Sequence, residues 1–403
     1  MKPVEALLTR TLSPHAAVLA VLAVLLVPAA AGGQDASRAG QDARTTHFAF
    51  EKHGQLIPHP PGMPKPGPYY TSLVDMKDVA GFPYDYALYF STDHASGPGG
   101  IWLYLCNGNP TKPANWLSYD QALAAGAFDY LGERPAANPV FIDSTQGRQT
   151  ETPCVNVIGH TVYMTYHNAG AGHGQSTLLA TSKDGVNFAR INGDEDSIVL
   201  DYDPAKDIGD GHTGYFRWAP NPFSGVDYPF VGYSLHGGGD DFHGAMWGSN
   251  DAIHWERLQI FDSIEGYAVD GDRIVRRRTV DPHSITDLGN GEYLAIASFG
   301  HRSSGGRKRT LELYEIYLAA DGKTLTRESR KILDNGAPGA YDEEELDGAT
   351  TVVIGDTWHL IYVGTSGNAG LNTIMGASGT LDVSAPKTPE LLPTARQRDF
   401  HRE

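Results

Sequence analysis

Hydrophobic positions in this chain fall in short runs, in which aromatic and β-branched residues alternate with polar ones between clusters of Gly, Pro, Asn and Asp. Longer segments with the 3.6-residue spacing of an amphipathic helix are scarce. Short alternating runs separated by turn residues are typical of β-strands. The pattern therefore predicts an all-β chain, with one short helix where Ser118 and Gln121 have the spacing of a capping box.

One strand–turn–strand phrase recurs along the chain. TETPCVNVIGHTVYMTYHN and RTVDPHSITDLGNGEYLAIASFGH both place a carboxylate eight positions before a Gly turn and a histidine after the next strand. The same count gives Glu151, Arg217, Asp281 and Asp347, with Ser72 near that position in a first unit, at intervals of roughly 65 residues. This repeat predicts a five-bladed β-propeller of four-stranded antiparallel blades around a central channel. A two-sheet sandwich is the alternative, but it gives no reason for a regular period.

Composition divides the chain into four parts. Residues 1–31 combine basic residues, an apolar run and a small-residue site, which is the pattern of a secretory signal peptide. Residues 32–45 are small and polar and predict a disordered linker, 46–385 form the propeller, and 386–403 are a C-terminal tail. The last unit has only three predicted strands, so we expect HFAFEKHG to supply the fourth and close the ring. A secreted or periplasmic protein is expected.

Charge and cysteine content limit the partners. The formal net charge of -17 argues against nucleic acid and against an anionic membrane surface, and we expect no membrane insertion. Cys106 and Cys154 both lie in apolar strand-like runs, which favours two buried free thiols over a disulfide.

The repeat also predicts where a site lies. In a propeller the start of each inner strand and the end of the second strand meet on one face. The ionisable residues at these points are Glu151, Arg217, Asp281 with His283, and Asp347 in one set, and Asp93, His94, His167, His236 and His301 in the other. Each residue alone is more often a turn cap or a structural histidine. Their convergence at one mouth of the channel would nevertheless make a charged, concave site.

The chain resembles the five-bladed propeller glycosidases, which include arabinanases, β-xylosidases, invertases and levansucrases, in the style of glycoside hydrolase families 43 and 117. The resemblance is carried by the repeat and by phrases such as FRWAPNPF and ETPCVNV. It implies an acidic triad of general base, general acid and a carboxylate that adjusts pKa, which maps onto Glu151, Asp281 and Asp347. Where such enzymes carry an aspartate on the first inner strand, this sequence has Ser72, and Asp93 is a candidate replacement.

The resemblance and the residues together predict a glycosidase acting on a plant or algal polysaccharide or oligosaccharide, with Glu151 as acid and Asp281 as base. Candidate substrate-binding residues are Asp93, His94, His167, Arg217, Trp218, His236, His283 and His301. A polysaccharide lyase is one alternative, with Arg217 neutralising a uronate and one of the histidines, Tyr166 or Tyr215 removing a proton. A non-catalytic glycan-binding propeller is another, and the histidines could also hold a structural divalent cation in the channel.

Overall fold

The computed structural model describes residues 45–384, except 93–98, 144–148, 170–173, 192–196, 206–210, 238–242, 262–272, 303–308, 328 and 367–369. The predicted signal peptide, the C-terminal tail and all of the linker but Thr45 lie outside the described residues. Asp93 and His94 lie outside them too.

The described residues form five antiparallel sheets. The first blade contains β2 (Tyr69–Asp75), β3 (Tyr86–Ser91), β4 (Ile101–Cys106) and β5 (Trp116–Ser118). The second contains β6 (Gln149–Ile158), β7 (Thr161–Ala169), β8 (Gln175–Ser182), β9 (Ala189–Arg190) and β10 (Ile198–Leu200). The third contains β11 (Thr213–Pro220), β12 (Phe230–His236), β13 (His243–Ser249) and β14 (Trp255–Phe261).

The remaining strands complete the ring. The fourth blade contains β15 (Arg273–Asp287), β16 (Glu292–Arg302), β17 (Arg309–Ala319) and β18 (Arg330–Lys331). The fifth contains β19 (Glu345–Ile354), β20 (Thr357–Ser366), β21 (Leu371–Ser384) and β1 (Thr45–Ile57). The inner strands β2, β6, β11, β15 and β19 contact one another in ring order, and β19 contacts β2. The predicted five-bladed propeller is confirmed.

The N-terminal strand closes the ring as expected. β1 pairs antiparallel with β21 from Thr45↔Ser384 to Ile57↔Ile374, so it covers an edge that the last three strands would leave unpaired. The short helix α1 (Tyr119–Ala124) is also confirmed, with both hydrogen bonds of the capping box between Ser118 and Gln121. A single 3₁₀ turn, Pro113–Asn115, precedes it.

Four inner strands carry the same irregularity near their start. Each has one extra residue relative to the second strand, and that residue has a left-handed backbone: Tyr70, Thr152, Tyr215 and Gly348, with φ between 44° and 58°. The residues just before them are Tyr69, Glu151, Gly214 and Asp347. A bulge of this kind redirects the neighbouring side chains. These four positions are therefore equivalent around the ring.

Two of the five positions found by counting from Gly turns are displaced. Ser72 and Arg217 lie three residues beyond the bulge-equivalent Tyr69 and Gly214. Counting eight positions back from the Gly turn finds the equivalent residue where the inner hairpin has a two-residue turn, as after Ile158 and Ile354. The same count fails where the loop is longer. The start of β15 is also not near Asp281, which is its ninth residue.

The core lies between the blades. Its largest fully buried side chains are aromatic and include Trp218, Tyr166 and Tyr233. Cys106 and Cys154 are buried and free, which confirms the preferred prediction. In the described part of the chain, no helix has the length and apolar character needed to cross a membrane.

Candidate functional site

A carboxylate–imidazole pair lies at the start of the second blade. Glu151 on β6 and His167 on β7 are directly paired in the strand register. Oε1 of Glu151 is 2.9 Å from Nδ1 of His167, and the side chains are 3% and 1% exposed. The distance suits a hydrogen bond although the angular alignment is poor, and catalytic hydrogen bonds often tighten only when substrate binds. The pair can hold or move a proton at this end of the channel.

Aromatic rings extend the pair into the third blade. The ring centroids of His167 and His212 are 5.1 Å apart, and Tyr215 lies 5.5 Å from His167 and 5.3 Å from His212, parallel to the latter within 12°. Gly214 makes this approach possible, because a Cβ there would lie 2.8 Å from Cδ2 of His167. Tyr70 of the first blade packs on Tyr215 at 4.7 Å. One ring cluster therefore connects three blades.

Burial keeps His212 uncharged. The pKa of His212 is well below its ordinary value, first because of desolvation and then because of the neighbouring His167. Glu151 and a hydrogen bond to the main chain of Leu235 act in the opposite direction. The neutral ring is a hydrogen-bonding and packing group at neutral pH, and the Glu151 carboxyl group lies in the same cluster.

Asp347 is the bulge-equivalent of Glu151 on the fifth blade. Only 6% of the residue is exposed, yet neither carboxylate oxygen has a hydrogen-bond partner among the described residues. The next residue, Gly348, lies against Tyr70, where a Cβ would be 2.9 Å from Tyr70 Cα. A buried carboxylate without partners is costly for the fold, so such groups commonly have a functional role.

The third predicted catalytic carboxylate lies deeper. Asp281 accepts a hydrogen bond from Oγ1 of Thr351 at 2.8 Å, and Thr351 is four residues beyond Asp347 on β19. His283 lies beside Asp281, with Nδ1 3.5 Å from its Oδ1, and its Nε2 is 2.9 Å from Oδ1 of Asn156, five residues beyond Glu151. The structure thus associates Asp281 and His283 with the middle of the channel, while Glu151 and Asp347 occupy equivalent positions nearer its mouth.

Arg217 is held by the main chain of two other blades. Its guanidinium donates hydrogen bonds to the carbonyls of Ala349 at 2.8 Å and Thr71 at 2.9 Å, and the side chain is buried. It lines, with Asp281 and Gly348, a narrow part of the channel. Arg217 therefore fastens three blades together, and its donors are directed at backbone rather than at the mouth.

Trp218 needs a correction. The sequence predicted that it binds substrate, but its side chain is fully buried and packs against Tyr163, Phe230 and Trp255. Adjacent residues of a strand point to opposite sides, so when Arg217 faces the channel Trp218 faces the core between blades. The tyrosine proposed for the lyase alternative, Tyr166, is buried as well and donates to Asp143 at 2.6 Å.

The other predicted histidines are placed by the strand pairing. His236 is opposite Thr213 at the start of β11, and His301 is opposite Ile274 at the start of β15. His236 is completely buried, 6.2 Å from the ring of Tyr202. The side chain of His301 lies outside what the structure describes. No group of three or more His, Cys, Asp or Glu side chains in the described ranges is arranged to ligate a metal ion.

Sequence reasoning missed His212, Gly214 and Tyr70 and gave Tyr215 only as a base for the lyase alternative. The role of these residues in the cluster follows from the bulge, and the position of the bulge depends on strand register. A weak signal was present, because HTGYFRW and YYTSL both place a tyrosine at the position that follows the carboxylate in the other units.

Comparison with known proteins supports the fold. No protein-family model and no curated protein match the sequence. An N-acetylgalactosamine deacetylase from F. plautii, in complex with blood group B trisaccharide, is similar at a TM-score of 0.55 and 13% identity, covering 83% of this chain and 95% of that one. BT0996, solved as an RGII complex, has a TM-score of 0.52 at 13% identity, covering 86% and 96%. The Bombyx mori GH32 beta-fructofuranosidase BmSUC1 has a TM-score of 0.50 at 14% identity, covering 81% and 61%. At these identities the likeness shows the fold, and it confirms the predicted resemblance to propeller glycosidases at that level.

Proposed function

We propose that this protein hydrolyses a glycosidic bond of a plant or algal polysaccharide or oligosaccharide at the mouth of its propeller. Asp347 and the Glu151–His167 pair carry the proton transfers, one group donating to the leaving oxygen and the other activating water. The fold is one that glycoside hydrolases share, and the mouth holds carboxylates on two non-adjacent blades. This differs from the sequence-based assignment, in which Asp281 was the base.

The observation that carries the proposal is the environment of Asp347. Neither oxygen has a hydrogen-bond partner among the described residues although the side chain is buried. Residues retained in spite of such a cost tend to lower stability in exchange for activity. By contrast Asp342, on the preceding loop, receives hydrogen bonds from Lys52 at 2.6 Å and Tyr362 at 2.9 Å and has a structural role.

The test is the variant Asp347→Asn. We expect its turnover on a glycoside identified by screening to fall by about 10²–10⁴, because the amide cannot transfer the proton. We also expect its thermal stability to equal or exceed that of the parent, because a buried charge without partners is removed. The matched control is Asp356→Asn, at an exposed turn of the same blade, which should change neither quantity. Parental turnover in Asp347→Asn would contradict the proposal.

Product analysis separates hydrolysis from elimination. A hydrolytic product is heavier by one water than its eliminated counterpart, and unsaturated uronates absorb in the near ultraviolet. Two of the residues named for the lyase alternative are engaged elsewhere, since Arg217 donates to backbone carbonyls and burial raises the pKa of Tyr166. Binding without any cleavage would favour the glycan-binding alternative.

Export is part of the proposal. Expression of the full chain in a secreting host, followed by N-terminal sequencing, should find the protein outside the cytoplasm and cleaved close to Ala31. Retention of an intact N-terminus in the cytoplasm would contradict it.

A further inference from the structure

We propose that Tyr215 is a substrate-contacting residue whose ring forms a platform for a sugar at the channel mouth. The inference rests on the proposed function in that it takes the ligand to be a carbohydrate. The sequence suggested Tyr215 only as a proton-abstracting base for an elimination reaction. The structure assigns it a different task in the same place.

Tyr215 is the least buried side chain of an otherwise buried series. Of the left-handed bulge residues, Tyr70 and Thr152 are buried and Gly348 has no side chain, whereas Tyr215 is partly exposed. A left-handed backbone is unfavourable for a bulky residue, and a site kept in this conformation is held there by its surroundings. On β11 the bulge leaves Tyr215 partly accessible while its ring stays packed against buried rings.

Buried groups hold the ring firmly. His212 lies parallel to it at 5.3 Å, His167 contacts it at 5.5 Å, and Tyr70 packs at 4.7 Å. Offset-stacked and tilted ring contacts of this kind are favourable and define orientation. Since His212 is neutral and His167 is paired with Glu151, the support is the same cluster that contains the proposed proton-transfer pair.

Tyr215 contacts residues that neighbour Glu151 on one side and the strand of Asp347 on the other. Its ring contacts His167, which is paired with Glu151. Its ring also packs on Tyr70, whose main chain lies against Gly348, the residue after Asp347. A sugar ring lying on Tyr215 would therefore lie beside His167 of the proposed proton-transfer pair, in the ring cluster that also contacts the strand of Asp347. The C–H face of a sugar suits the negative face of an aromatic ring, which adds affinity without demanding a particular hydroxyl pattern.

The experiment measures binding separately from cleavage. Calorimetric titrations use the sugar found by screening, in the Asp347→Asn background, in which cleavage is expected to be slow enough for binding to be measured. Tyr215→Leu keeps bulk but loses the flat ring, and we expect its Kd to rise roughly tenfold. Tyr215→Phe keeps the ring and should bind within about twofold of the parent. The control Tyr130→Ala, at an exposed tyrosine on the first-blade insertion, should leave Kd unchanged.

The outcomes separate the two proposals. An unchanged Kd in Tyr215→Leu would overturn the platform, and so would equal losses in the Leu and Phe variants, because the hydroxyl would then carry the contact. If the parent binds sugar but never cleaves it, hydrolysis fails while the ring-dependent difference in Kd still decides the role of Tyr215. Thermal unfolding of both variants shows that they are folded before the titrations are compared.

Discussion

At the scale of single residues, the mouth of the channel combines groups whose protonation states are set by their surroundings. Glu151 is a carboxylate beside an imidazole at 2.9 Å, and His212 is an imidazole that burial keeps neutral. A charge on His212 would be unfavourable here, first because the ring is buried and then because His167 lies 5.1 Å away.

The depressed pKa of His212 makes stability depend on pH. In the unfolded chain this group takes up a proton near pH 6.5, while in the folded protein it resists protonation. The unfolded state therefore binds more protons below that pH, and stability falls as the solution becomes more acidic. We expect His212→Gln to flatten the fall in unfolding temperature between about pH 6.5 and 5, as measured by calorimetry across pH.

The control for this prediction is His254→Gln, at an exposed turn histidine beside Asp251. This variant should show the same fall in unfolding temperature below about pH 6.5 as the parent. A His212→Gln protein with the parental dependence on pH would mean that other groups cause the loss of stability.

At the scale of elements, the bulged inner strand is the unit that builds the site. Its left-handed residue and the residue before it decide which side chains enter the mouth, and the next residues lock neighbouring blades together. Oγ of Ser72 accepts from the Val155 amide, Oγ1 of Thr350 accepts from the Leu73 amide, and Arg217 bonds to two carbonyls. Ser72, Thr350 and Arg217 each lie three residues beyond the bulge-equivalent position, and there they satisfy buried backbone groups of other blades.

Arg217 is the strongest of these connections, which gives a prediction for Arg217→Lys. An ammonium group cannot reproduce the planar fork that reaches Ala349 and Thr71 together, so one or both buried carbonyls lose their donor. We expect the free energy of unfolding to fall by about 2–4 kcal/mol in urea denaturation. Arg257→Lys, at a partly exposed arginine over Trp247, should stay within about 0.5 kcal/mol of the parent. Equal stabilities of the two variants would contradict the role of Arg217.

These elements also show what the sequence could and could not predict. The repeat, the closing strand and the positions of Glu151 and Asp347 follow from local patterns, since turn residues and alternation are local properties. The places of Tyr69 and Gly214 do not, because loops of different length separate their strands from the next Gly. The left-handed backbone of Tyr215 is set by pairing with β12 and by packing against three rings, which no single-sequence pattern encodes.

At the scale of the whole molecule, the propeller is closed by pairing its first described strand with its last. β1 forms the outer edge of the fifth blade, and a buried carboxylate of the fourth blade holds it in place. Glu315 on β17 accepts hydrogen bonds from the Phe48 amide at 2.9 Å, from Tyr317 at 2.8 Å and from Arg330 at 2.7 Å. Arg330 also donates to the Phe48 carbonyl at 2.8 Å. Glu315 and Arg330 therefore form a clasp that fixes β1 to the fourth blade, which is distant from it in sequence.

This clasp predicts a local effect of Glu315→Gln on ring closure. The neutral amide keeps the volume of the side chain but weakens the charge-assisted bond to Arg330 and cannot accept all three donors equally well. We expect faster amide hydrogen exchange in residues 45–57, measured by mass spectrometry, together with a loss of about 1–3 kcal/mol in unfolding free energy. The matched control is Glu312→Gln on the same strand, where the carboxylate contacts Lys331 at 2.8 Å and Tyr314 at 2.7 Å. Its exchange in β1 should equal that of the parent. If β1 is equally protected in both variants, closure depends on the pairing with β21 alone and Glu315 is not the clasp.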